Sequence, residues 1–112
     1  MQISTDNRGD VTVVAITGDM DALTADEVTT YLDERVKEGM VRLVADLSGV
    51  PYISSAGLRS LLATVKAARQ AGGDLHLAAA QDNVQNLLAM SGFTSIMKSY
   101  PNVETAIAGF SG

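Results

Sequence analysis

An α/β domain, with a mixed sheet of four to five strands and about four helices packed against it, is predicted by three observations. β-Branched apolar runs alternate along the chain with segments whose apolar residues recur at helical spacing. Each helical segment carries its apolar stripe on one side only, and the first two strand-like runs meet at a turn, as in an antiparallel hairpin. At 112 residues, 46% hydrophobic and 19% charged, the chain suits one domain over residues 1–112. A chain of this size buries roughly two-thirds of the surface its unfolded form exposes, enough to fold without disulfides or metal.

The elements follow in order. A short strand near Gln2–Thr5 leads through Asn7-Arg8-Gly9-Asp10 into Val11-Thr12-Val13-Val14-Ala15-Ile16-Thr17, which Gly18-Asp19-Met20-Asp21 stops. Thr24 with Glu27 three residues on makes a capping-box pattern, and Val28, Tyr31, Leu32 and Val36 recur at helical spacing. A helix is therefore expected from Ala25 to Lys37, ended by Gly39. Val41-Arg42-Leu43-Val44-Ala45-Asp46-Leu47 is nearly all apolar, as a central strand covered on both faces should be.

After the loop Ser48-Gly49-Val50-Pro51-Tyr52-Ile53, a second helix carries Leu58, Leu61, Leu62, Val65 and Ala68 on one face, until Gly72-Gly73. Asp74-Leu75-His76-Leu77-Ala78-Ala79 makes the next strand. A third helix opens near Asp82 as N-cap and carries Val84, Leu87, Leu88 and Ser91 on one side until Gly92. Ser95-Ile96-Met97-Lys98 supplies a short last strand, and Pro101-Asn102 introduces a fourth helix with Val103, Ala106, Ile107 and Phe110.

Eight Lys plus Arg against 13 Asp plus Glu give a formal charge of −5, and a pI near 4.5 disfavours phosphate backbones and anionic lipid. Five aromatic residues, three Tyr and two Phe, offer few stacking platforms for single-stranded nucleic acid. A protein partner or a small ligand remains. The absence of Cys removes thiol catalysis and thiolate metal sites and favours a reducing setting. No secretory leader pattern and no run approaching the ~20 apolar residues of a membrane span is present, so a soluble, cytoplasmic protein without membrane insertion is expected.

Nothing in the pattern argues for an enzyme, a cofactor or a metal site. The single His76 alternates with Leu75 and Leu77 and suits a structural or surface role. Most carboxylates fall in turns or on the solvent side of the first helix, at Asp26, Glu27, Asp33 and Glu34. The phosphate-loop, dinucleotide and G-x-S-x-G patterns are missing.

One segment stands apart. The loop after the central strand delivers Ser54 and Ser55 to the first turn of the second helix, where either hydroxyl suits an N-cap worth ~1 kcal/mol. Gly57 fits a plain helix start badly, because glycine there costs up to ~1 kcal/mol relative to Ala. It calls for close approach of a second backbone or of a docking partner. A helix N-terminus also tolerates a phosphate well, so a serine there suits a charge switch that binds a partner when neutral. Between Leu47 and Gly73 the only charged residues are Arg59, Lys66 and Arg69, a positive edge in an acidic chain. That edge suits a partner-facing surface, or the solvated side of an amphipathic helix.

At these residues the sequence resembles the STAS family, and within it the bacterial anti-sigma factor antagonists, over essentially the whole chain. Gly18-Asp19-Met20-Asp21 looks like the family's G-x-[LMI]-D turn, and Val44-Ala45-Asp46-Leu47-Ser48 like its V-x-D-[LF]-S strand end. Tyr52-Ile53-Ser54-Ser55-Ala56-Gly57-Leu58 looks like the [FY]-[IM]-D-S-[ST]-G-[LV] helix start. Gly72-Gly73 and Met90-Ser91-Gly92-Phe93 match later positions.

The resemblance implies partner switching. An unphosphorylated antagonist binds a serine-kinase anti-sigma factor and frees its sigma factor; phosphorylation ends the interaction, and a PP2C-type phosphatase restores it. The acceptor in the family's best-known members stands directly before Gly-Leu, where this chain has Ala56, and the usual Asp two residues earlier is Ser54. Ser55 is therefore the expected phosphorylation site, with Ser54 next. The expected partner-binding residues are Asp21, Ser54, Ser55, Ala56, Gly57, Leu58 and Arg59. The alternative is a non-phosphorylated STAS subunit that regulates or assembles a transporter, such as a lipid-trafficking ABC system, a reading that Ala56 favours.

Overall fold

The computed structural model describes residues 1–111. Strands β1 (Gln2–Arg8), β2 (Val11–Thr17), β3 (Arg42–Gly49), β4 (Asp74–Ala78) and β5 (Lys98–Tyr100) form one sheet in the order β1-β2-β3-β4-β5. β1 and β2 are antiparallel, and every later neighbour is parallel. Helices α1 (Ala25–Lys37), α2 (Ser55–Gln70) and α3 (Asp82–Met90) make the crossovers, and α4 (Val103–Ala108) ends the chain. The mixed five-stranded sheet with four helices is the architecture that the alternating pattern predicts.

The period of two along β3 explains why it is central. Leu43, Ala45 and Leu47 point into a large core with Val28 and Leu32 of α1, Leu58, Leu61 and Val65 of α2, and Val84 and Leu88 of α3. Val44 points the other way, into a second cluster with Val11, Val13, Ala78 and Ala106 of α4. Three helices thus cover one face of the sheet and one short helix covers part of the other. His76 lies on the α4 side, buried; its ring stacks on Phe110 with centroids 3.8 Å apart, and its Nδ1–H donates to the Ala106 carbonyl at 2.9 Å. Burial lowers its pKa below the ordinary 6.5, so the ring is held neutral.

Four local expectations are corrected. The first strand runs through Arg8 rather than stopping near Thr5, because its pairing with β2 continues to Arg8↔Val11 and overrides the weak strand preference of Asp6 and Asn7. Thr24 is not a capping-box N-cap: its backbone is already helical, and its hydroxyl donates to the Asp19 carbonyl at 2.7 Å. Thr24 stays at the cap position without a side-chain cap bond, and Asp21 holds the turn before the helix, one carboxylate oxygen accepting from the N–H groups of Leu23 (3.0 Å) and Thr24 (3.2 Å). α3 includes Asp82 as its first residue, with Gln81 at the cap position, whose side chain donates to the Ser48 carbonyl instead. The last strand is Lys98–Tyr100, displaced from Ser95–Lys98, because Phe93–Ser95 forms a 3-10 turn and Met97 is drawn into the core.

Candidate functional site

The site grows from the parallel pairing of β2 and β3, which persists beyond both strands into their loops. Gly18 N–H donates to Gly49 O at 2.9 Å, Met20 N–H to Tyr52 O at 3.0 Å, and Ser54 N–H to Met20 O at 2.8 Å. Met20 and Ile53 form a bridge, and their side chains are buried in the core. From the other side, Asn83 of α3 donates to Pro51 O at 2.7 Å. The turn before α1 and the loop before α2 are therefore one clamped unit.

Gly57 closes the clamp. A Cβ at this position would stand 2.7 Å from Met20 O and 2.8 Å from Ile53 Cγ1, so close approach of a second backbone accounts for the glycine. Leu58 beside it is buried in the main core.

The two serines differ in what their hydroxyls do. Ser54 is extended (φ −96, ψ 175) and is the N-cap of α2, its Oγ accepting from Gly57 N–H at 3.3 Å. Ser55, the first helical residue, is exposed, and among the described residues its hydroxyl has no hydrogen-bond partner. Ala56 is half-buried and lines a depression of about 260 Å³ between α1 and α2, together with Ala22, Asp26 and Arg59. Below it, Ser60 Oγ meets Thr29 Oγ1 at 2.6 Å and joins the two helices.

All seven expected partner-binding residues thus lie at one end of the sheet, but they divide by orientation. Ser55 and Arg59 are exposed, Asp21, Ser54 and Ala56 are half-buried, and Gly57 and Leu58 face inward and shape the loop. The positive edge of α2 is shorter than its sequence suggests. Arg69 is spent on Asp74, at 3.0 Å, and on the Ile96 carbonyl, at 2.7 Å. Arg59 and Lys66 are exposed, seven positions apart on one helix face, with no carboxylate within 4.0 Å among the described residues.

Two surface residues escaped the sequence reading. Leu23 is 92% exposed and Tyr52 51% exposed, one on each of the two clamped loops. The available signal was that Leu23 falls outside the helical spacing of Val28 and Leu32 and follows a turn-forming Asp.

Among known proteins, BtrV of Bordetella bronchiseptica, assigned as an anti-sigma factor antagonist, is 33% identical over 98% of this chain and 95% of its own. The anti-sigma F factor antagonist of Paenibacillus polymyxa is 30% identical over 96% of this chain and 92% of its own. An anti-sigma factor antagonist from Mycobacterium paratuberculosis superposes with a TM-score of 0.89 at 23% identity, covering 99% of this chain and 94% of that one. The anti-sigma factor antagonist SpoIIAA, unphosphorylated, shares the fold at a TM-score of 0.72 and 13% identity over 99% of each chain. Its phosphorylated form, from Bacillus, gives 0.71 at 15% identity over 96% of this chain and 97% of that one. Residues 2–106 match the STAS domain, and this chain belongs to that family.

Proposed function

We propose that this protein is an anti-sigma factor antagonist that binds a serine-kinase anti-sigma factor through the first turns of α2 and the adjoining loops. Phosphorylation of Ser55 ends the interaction, and a PP2C-type phosphatase reverses it. The observation that carries this reading is the contrast between the two serines: Ser54 is tied down as the cap, and Ser55 is exposed with a free hydroxyl. The names of the curated relatives support the role, and so does the existence of a fold neighbour in both phosphorylated and unphosphorylated forms.

The charge change accounts for the switch. A phosphate on Ser55 adds about −2 beside Arg59, one turn away on the same face, and cancels the local positive potential that draws an acidic partner surface. The helix start tolerates it, because the anion sits against free N–H groups at the positive end of the helix dipole. Ala56 excludes the family's usual acceptor position and leaves Ser55, then Ser54. The protein acts where sigma factors act, in the cytoplasm, and catalyses nothing itself. The test is phosphate transfer from a serine-kinase anti-sigma factor of the same organism, followed by mapping of the modified residue. A stable complex with no phosphate would overturn the phospho-switch and leave a constitutive binder. Absence of both complex and phosphate would favour the second reading, a non-phosphorylated STAS subunit of a transporter assembly, which Ala56 also favours.

A further inference from the structure

We propose that Leu23 is the apolar anchor of the partner-binding surface and inserts into an apolar pocket, rimmed by acidic side chains, on the anti-sigma factor. This rests on the reading of the protein as a binder of that partner. An exposed leucine alone asks for no explanation. What distinguishes Leu23 is that the chain around it is fixed. Its own N–H and that of Thr24 donate to the Asp21 carboxylate, and Ala25 N–H donates to Asp21 O at 2.9 Å. Thr24 Oγ1 ties the turn back to Asp19 O.

A side chain that is 92% exposed on so constrained a turn contributes nothing to the core. It is pre-organised for burial elsewhere, because little backbone freedom is left to lose on association. A few side chains that fill well-packed, desolvated pockets carry most of an interface's binding energy, and a pre-organised leucine can be one of them where the partner offers such a pocket.

Its surroundings indicate what covers it. The turn is clamped through Met20 to the loop bearing Tyr52, 51% exposed, so the two apolar groups belong to one rigid surface. Ala22, next to Leu23, shares the 260 Å³ depression with Ala56 and Arg59, which joins this apolar patch to the first turns of α2. Arg59 and Lys66 are exposed on α2, with no carboxylate within 4.0 Å among the described residues, and Asp26 lines the depression on the α1 side. A complementary partner therefore presents an apolar pocket for Leu23 with carboxylates on its α2-facing rim.

The experiment is titration calorimetry of the full chain against a serine-kinase anti-sigma factor of the same organism, with Leu23→Ala and Met90→Ala variants. Met90 is 85% exposed and lies at the end of α3, outside the clamped loops, so it serves as the control. Leu23→Ala is expected to raise the Kd at least about thirtyfold with no change in melting temperature, and Met90→Ala to leave the Kd unchanged. Wild-type binding with a Leu23→Ala Kd within about threefold of it would overturn the anchor and leave the proposed function standing. Absence of both binding and phosphate transfer in the wild type would overturn the two together.

Discussion

Gly57→Ala isolates the clamp between the two site loops. At an open helical position this change stabilises by up to about 1 kcal/mol, because alanine is the better helix former. At Gly57 the added methyl meets Met20 O at 2.7 Å, Ile53 Cγ1 at 2.8 Å and Met20 Cβ at 3.0 Å. Relief to about 3.3 Å, the short end of ordinary C–H···O contacts, needs the Met20 carbonyl to retreat by about 0.6 Å. That carbonyl is not free to move, since it accepts from Ser54 N–H at 2.8 Å. Overpacking of this kind costs about 1–3 kcal/mol, so after a helix-propensity gain of up to about 1 kcal/mol the net loss is about 0–2 kcal/mol. Urea unfolding checks it as a midpoint that does not rise, at unchanged m-value, and hydrogen exchange as faster opening at Ser54 N–H. A Gly57→Ala protein stabilised by the full increment of about 1 kcal/mol expected at an open helical position refutes the close-approach explanation.

The serine assignment predicts an order: Ser54→Ala loses the N-cap and about 1 kcal/mol, whereas Ser55→Ala stays within about 0.5 kcal/mol of wild type in the same urea assay. The reverse order contradicts the cap. His76 predicts acid sensitivity. Burial lowers its folded pKa below 6.5, so the unfolded state binds the proton first; stability is full above pH 6.5 and falls as pH drops from there toward the folded pKa. A urea midpoint that declines over this window in wild type and less steeply in His76→Gln is the expected result, and identical slopes would remove the histidine from the account.

The central strand was legible because its chemistry is one-dimensional. A run such as Leu43-Val44-Ala45 is apolar on both sides and has to be covered on both, as it is by α1, α2 and α3 on one face and Ala106 of α4 on the other. What sequence could not supply were choices made between distant segments. Thr24 opens a capping-box pattern, and only the fold of the preceding turn turns its hydroxyl to the Asp19 carbonyl instead. Gly57 admitted a second backbone or a docking partner, and the pairing of Met20 with Ile53, far apart in sequence, selects the first. Arg69 reads as part of a basic edge until Asp74 and the Ile96 carbonyl are brought to it. Leu23 carries no sequence signal of its role, and only its exposure on a fixed turn marks it as surface.

The switch itself is tested most directly by one measurement: incubation of the full chain with a serine-kinase anti-sigma factor of the same organism and ATP, with mass-spectrometric mapping of the phosphate and sizing of the complex before and after. The account predicts a single phosphate on Ser55 and dissociation of the complex as it accumulates. A complex that persists with Ser55 unmodified, or that survives full phosphorylation of Ser55, would contradict it.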